Sequence, residues 1–389
     1  MTDLFLTAYD GKILGPIAKA LGWCMDKIYV FLSNVCHIES IALAIVIFTI
    51  CIYLVLFPLT YKQQKFSVLT RKMQPEMNAI RDKYKGKKDQ ASMQAQNNET
   101  QALYDKYGIS PTGSCIYLVI QMPILFALYR VFYNVPAYIT SVRGIFTDLV
   151  NEITSTKGFG KTLTAILDES KLKSVQVDFK TKDPSALSNA CIDVLYKLPS
   201  AGWDLLKEKF PELTTTIDAT IAKLDKVNSI FALNISDTPL NQIKDGWASK
   251  SWILIILALL VPIFAYLTQL LNIKLTPTAP TEGNDQMASS MKTMNIMMPL
   301  MSFFICFSTP VGLGIYWIAG AVVRGVQQVF VNKHIDKIDI DALVAQNQEK
   351  LKKDLEKKGV KGDVIKSNAS LSTKAMTEPK KSSMSKEER

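Results

Sequence analysis

The sequence predicts an all-α, polytopic membrane protein with five transmembrane helices and a cytoplasmic helical hairpin. Three observations lead there. The apolar residues gather in blocks, most of them near the ~20 residues that a helix needs to cross a ~30 Å hydrocarbon core. Lysine and arginine are in excess in alternate connecting segments, and none of the blocks contains Asp or Glu. A helix pairs its own backbone polar groups and can therefore face lipid along its length.

Residues 1–38 are expected outside the membrane. There Leu14, Ile17, Leu21, Met25, Ile28 and Leu32 recur at three- and four-residue steps, with Lys12, Lys19 and Asp26 off the stripe. This predicts an amphipathic helix, either lying in the outer membrane interface or packed on the protein's own outer domain. No cationic start precedes the first apolar stretch, which disfavours a cleaved signal peptide. The bulky Trp23 before Cys24 disfavours lipidation there. The first span is placed at 39–60, around the run Ile41 to Leu59, and the second at 114–135, around Ile116 to Val135. The third is placed at 251–272, the fourth, which is the shortest, at 293–309, and the fifth at 310–331.

The connections alternate in charge. Tyr61 to Gly113 holds 10 basic and 5 acidic residues, the tail from Asn332 to Arg389 holds 14 and 10, and Asn134 to Lys250 is balanced at 14 and 14. Cytoplasmic loops carry the Lys/Arg excess. The N-terminus is thus expected outside, segments 61–113 and 332–389 inside, 136–250 outside, and 273–292 as an inner loop. In the first inner segment Leu69, Met73, Met77, Ile80 and Tyr84 form one stripe, Lys85-Gly86-Lys87-Lys88 interrupts it, and Asp89 to Tyr107 resumes helical composition. That pattern predicts an antiparallel hairpin. Its exposed Met73, Met77 and Ile80 are candidates for contact with an arriving substrate or its targeting machinery, since methionine adapts to varied partners; a charged face resting on headgroups is the alternative. The outer segment is polar and helix-leaning, with Pro184, Pro199 and Pro211 as breakers. Residues 361–389 are expected to be disordered.

Catalytic patterns are missing. Gly158-Phe159-Gly160-Lys161-Thr162 resembles the end of a phosphate-binding loop, but Ser155 stands where the first glycine belongs and no strand is predicted before it. His37 and His334 are predicted on opposite sides of the membrane, and the six cysteines are scattered without a C-x-x-C pair. No cofactor, no metal and no enzymatic activity are expected. The absence of intramembrane carboxylates argues against ion-coupled transport. The spans instead hold Thr49, Tyr53, Gln121, Ser302, Tyr316 and Gln327, and two arginines, Arg130 and Arg324.

Two ordered motif sets resemble YidC-type membrane insertases. The first runs through Pro58-Leu59-Thr60, Gln63-Gln64, Met73-Gln74-Pro75, Leu103-Tyr104, Lys106-Tyr107-Gly108 and Gln121-Met122-Pro123-Ile124 to Ala127-Leu128-Tyr129. The second comprises Met297-Met298-Pro299, Phe303, Pro310, Gly312-Leu313, Tyr316-Trp317 and Gln327-Gln328. The resemblance implies five helices around a polar groove that opens to the cytoplasm and inner leaflet. Such a groove would lower the cost of carrying a polar segment toward mid-bilayer, several kcal/mol when unpaired, without ATP hydrolysis. It also implies nascent membrane proteins and membrane lipids as partners, the ribosome and the secretion channel as candidate partners, no DNA, and a bacterial cell membrane location. Arg130, Tyr53, Thr49, Gln121, Ser302 and Tyr316 are the candidate groove residues. A channel or transporter, or a membrane-anchored protein displaying the outer segment, is the alternative; the first would call for inverted repeats and broken helices.

One position departs from the family pattern. Most bacterial relatives carry an arginine five residues before the proline matching Pro58, and here that position is Tyr53. Arg130 on the second span is the expected replacement, the two residue types having exchanged walls of one cavity. The alternative has Arg130 as an interfacial anchor: at ~1.5 Å per residue it lies ~25 Å from Gly113, close to the outer headgroups.

Overall fold

The computed structural model describes residues 11–357 except 13, 88, 109–112, 171, 173–176, 182, 276–284, 336 and 338. The disorder expected for 361–389 and part of the expected loop 273–292 lie outside the described residues. The chain is predominantly helical. Helices α1 (Leu14–Asn34), α2 (Ile41–Val55), α3 (Phe57–Tyr84), α4 (Gln90–Tyr107) and α5 (Gly113–Tyr133) come first. The polar segment then forms α6 (Thr140–Ile145), α7 (Thr147–Ser155), α8 (Phe159–Glu169), α9 (Pro184–Lys197), α10 (Ser200–Lys209) and α11 (Thr214–Asn228). A small antiparallel pair, β1 (Ser229–Ile230) and β2 (Leu233–Asn234), leads into α12 (Pro239–Ala248). Last come α13 (Trp252–Leu275), α14 (Asp285–Ser308), α15 (Val311–Ile335) and α16 (Ile340–Lys357).

Two compact units result. One contains α1, α2, most of α5, α6 to α13 and the larger parts of α14 and α15; the other contains most of α3, α4, α16, the first residues of α5 and α14 and the end of α15. In the first unit, Ser40 caps α2, its Oγ accepting from the Leu43 N–H at 3.3 Å. The first apolar run does not stay one helix: α2 stops at Val55, short of the run's end at Leu59, and α3 begins at Phe57. Pro58 suits the break: as the second residue of α3 its missing N–H falls in the first turn, where no helical partner is needed. Helix α1 turns Ala18, Met25, Tyr29 and Leu32 to the core and leaves Trp23 and Phe31 exposed. Gly22 lets it sit on Tyr138, where a Cβ would come within 2.2 Å of the ring, and Asp26 accepts the Thr140 N–H at 3.0 Å at the start of α6. The apolar stripe of α1 therefore packs on the protein itself.

The prolines of the polar segment start helices. Pro184 is the first residue of α9 behind the capping Asp183, Pro199 precedes α10, and Pro211 opens the short turn before α11. The glycines near 158 hold no phosphate loop: helix α7 precedes them, and Gly158, at φ +78°, starts α8. Asp193 on α9 is 8% exposed, and burial pushes its carboxyl up to about 7 against the opposing pull of Lys197 and Arg143. Because the folded value exceeds the unfolded one, this group's stabilising effect is complete below pH ~4 and is lost as pH rises through ~7. Melting curves of detergent-solubilised protein should accordingly show wild type losing stability across this window relative to Asp193→Asn; parallel pH profiles would contradict it.

In the second unit, α3 and α4 form the expected antiparallel hairpin. Asp89 caps α4 through the Ser92 N–H at 2.9 Å. Lys106 and Tyr107 both reach Glu76, at 2.7 and 2.9 Å. Lys83 and the Tyr84 hydroxyl donate to Glu99. The expectation that Met73, Met77 and Ile80 are exposed is corrected here. Met73 and Met77 are buried with Leu103 and Tyr107, and Ile80 and Val344 of α16 pack against them. Burying apolar surface at ~25 cal/mol per Å² outweighs displaying it to water, so the stripe becomes the seam of the hairpin. Asn347 of α16 donates to the Tyr107 carbonyl at 2.9 Å, beside Gly108 at φ +63°. Met73→Asp, which places an unpaired charge in that seam, should unfold the hairpin; proteolysis between α3 and α4 as slow as in wild type would refute the assignment.

Candidate functional site

Among the described residues, Trp252–Leu275 is long and apolar enough to cross a membrane by itself, and Ile41–Val55 qualifies together with Phe57–Tyr84 across their break. Val119–Tyr133 and Ile296–Ser308 are shorter apolar helices. Tyr53 of α2 and Arg324 and Gln327 of α15 come together where these two helices meet. Two glycines permit the close approach: a Cβ on Gly312 would lie 3.2 Å from Ile45 Cδ1, and one on Gly320 would lie 2.9 Å from Tyr53 Cε2. Small residues at such seams bring helix backbones together inside a membrane. Both pairs keep the same offset, so α2 and α15 run parallel through this contact. Asn272 joins α13 to it, donating to the Ala321 carbonyl at 2.9 Å.

Tyr53 is 1% exposed, and Arg324 lies over it. The guanidinium carbon of Arg324 is 5.2 Å from the ring centroid, and Nη1 donates to the Tyr53 hydroxyl. Cation–π attraction and hydrogen bond together fix the arginine. Gln327 donates to the Tyr53 carbonyl at 3.0 Å, which satisfies one of the carbonyls left over at the end of α2. Arg324 is half-exposed, and among the described residues no carboxylate pairs with it. The seam thus holds a fixed, partly exposed positive charge that has no acidic partner among the described residues.

The remaining candidates divide. Thr49 is buried one turn before Tyr53 and spends its hydroxyl on the Ile45 carbonyl at 2.6 Å. Tyr316 is buried against Phe132, with ring centroids 5.7 Å apart. Ser302 donates to the Met298 carbonyl of its own helix at 3.1 Å. The buried Oε1 of Gln121 has no hydrogen-bond partner among the described residues. Arg130, expected opposite Tyr53, stands elsewhere: it is exposed near the end of α5, and its charge acts on Lys197 of the polar segment. The long guanidinium gains more from that polar surroundings than from an apolar interior. The arginine at Tyr53 is Arg324, and its signal was present in the sequence: Gly320, Arg324 and Gln327 recur at helical spacing, on one face of α15.

The fold is predominantly helical, with one helix among the described residues long and apolar enough to cross a membrane by itself, and the seam is a polar, cationic contact between α2 and α15. Residues 31–185 and 189–338 match the family described as 60Kd inner membrane protein, and the chain belongs to that family, to which the YidC insertases belong. It is 36% identical over 128 residues to the membrane protein insertase YidC of Bifidobacterium longum, covering 32% of this chain and 38% of that one. It is 40% identical over 110 residues to membrane protein insertase YidC 1 of Halalkalibacterium halodurans, covering 28% and 40%. Over 117 residues it is 40% identical to the YidC insertase of Wolinella succinogenes, covering 30% and 20%. The matched stretches span less than half the length of each of these relatives.

Proposed function

We propose that this protein is a membrane protein insertase that crosses the bacterial cell membrane five times, N-terminus outside and C-terminal tail in the cytoplasm. Nascent transmembrane segments pass from a polar groove into lipid without ATP hydrolysis. The single observation that carries this reading is the Arg324 guanidinium, fixed over Tyr53 and, among the described residues, without an acidic partner. Removing a charge from water costs several kcal/mol, and a positioned opposite charge offsets part of that. An acidic or polar leading segment of the substrate would be met by Arg324, with Gln121 as a further hydrogen-bonding group, while its apolar helix moves into lipid. Family membership and the relatives' insertase names support the same reading. Contact of the cytoplasmic hairpin with substrate, ribosome or secretion channel would fall to its charged outer surface and the exposed Met93, since Met73 and Met77 are committed to its seam.

Purified protein in liposomes should insert a short single-span substrate in the absence of nucleotide; dependence on added ATP, or no gain over protein-free liposomes, would sink the proposal. Topology has its own test. With the exposed thiols of Cys24, Cys36 and Cys51 replaced, Lys87→Cys should react with a membrane-impermeant reagent from the cytoplasmic side only, and Lys209→Cys from the outside only. Labelling of both from one side would end the five-span arrangement.

A further inference from the structure

We propose that the edge of the core unit made by the β1–β2 turn and helix α12 is immersed in the headgroup region of the outer leaflet, anchored by Phe231, Leu240 and Trp247. This rests on the membrane reading of α13 given above.

Phe231 is the first of the two residues joining β1 to β2. It is 89% exposed and adopts φ +56°, a left-handed conformation that a bulky side chain rarely takes. A strained backbone holding a large aromatic ring out of its own protein calls for a medium that receives the ring. On α12, Leu240, Lys244 and Trp247 recur at i, i+4 and i+7, and all three are exposed. Gln242 and Gly246 face inward. Trp247 and Trp252 meet edge to face, with centroids 5.8 Å apart, and both remain exposed.

The depth of this edge is set by hydrogen bonds and packing. The Ile235 and Asp237 carbonyls accept the Gly312 and Val311 N–H groups at 2.9 Å, so the residues after the β-turn are tied to the first turn of α15. Gly246 rests against Ile255 and Ser251 at the start of α13. The edge therefore sits level with the beginnings of two apolar helices. Through the Trp247–Trp252 ring contact it adjoins the exposed Trp252, Ile253 and Ile256 of α13, which lipid must cover if α13 spans the bilayer. That adjacency favours lipid over a protein partner. Lys244 and Lys250 supply the cationic rim: tryptophan settles at the headgroup level, and lysine extends from apolar contacts toward phosphate.

The test uses the full chain in phosphatidylcholine and phosphatidylglycerol vesicles, with wild-type emission subtracted. The added emission of Phe231→Trp should be blue-shifted and should lose most of its intensity to lipids brominated near the head end of the acyl chain. Ile263→Trp, halfway along α13 and exposed on it, serves as reference and should be quenched by lipids brominated deeper. If Ile263→Trp is quenched but Phe231→Trp responds only to aqueous iodide, the edge is in water and the proposal is overturned while the membrane reading stands. If Phe231→Trp is shielded from both quenchers, protein covers it and the proposal is likewise overturned. If neither position responds to brominated lipid, the spanning role of α13 fails and takes this inference with it.

Discussion

Replacing Arg324 with alanine should lower the insertion rate of a substrate bearing an acidic external tail by about tenfold, equivalent to ~1.4 kcal/mol of barrier. The guanidinium stands over the Tyr53 ring and donates to its hydroxyl, so the side chain is held before substrate arrives. A charge already positioned costs no reorganisation when the opposite charge enters a poorly solvated groove. Arg324→Lys should recover part of the rate, because the charge remains but the planar donor fork is lost. Arg130→Ala should insert the same substrate close to the wild-type rate, since that arginine is exposed near the end of α5 beside the polar segment. Substrates with neutral tails should respond weakly to either change. Liposome insertion assays measure all of these, with melting in detergent to confirm that each variant is folded. An Arg324→Ala protein inserting acidic-tailed substrate at full rate would remove Arg324 from the mechanism.

The largest expected effect on stability is at Gly320. A Cβ there would fall 2.9 Å from Tyr53 Cε2 and 3.0 Å from its hydroxyl oxygen. The ring cannot retreat readily, because Tyr53 is 1% exposed and held by Arg324 and Gln327. Gly320→Ala should therefore destabilise by about 1–3 kcal/mol, as overpacking does in tight interiors. Five residues further on, a Cβ at Gly325 would find its nearest neighbours, Asn272 Oδ1 and Leu275 Cδ1, at 3.6 Å, an ordinary contact. Gly325→Ala should be neutral or stabilising by up to about 1 kcal/mol, because helical glycine costs entropy. Detergent-phase melts of the two variants decide the matter. Equal melting temperatures would show that α2 and α15 do not meet as closely as the seam requires.

By itself the sequence determined the all-α class, the apolar blocks, the hairpin with its turn at Gly86, the interruptions at Pro184, Pro199 and Pro211, and the family. These follow from local rules: apolar periodicity, capping residues and proline's missing N–H act over a few residues and leave their mark in the residues concerned. The tertiary structure alone decided partnership. Met73 and Met77 present the same apolar stripe whether displayed or buried, and only the return of α4, with Leu103 and Tyr107, turned the stripe into a seam. Arg130 and Arg324 are equally conspicuous as cations within apolar runs, and nothing near them in the chain says which one meets Tyr53. Gly320 and Gly312 decide it in space, by letting α15 approach α2 closely enough for an arginine one turn beyond Gly320 to reach Tyr53, 271 residues earlier in the chain. Periodicity fixes which side chains share a face, but which face meets which is settled by the packing of helices distant in sequence.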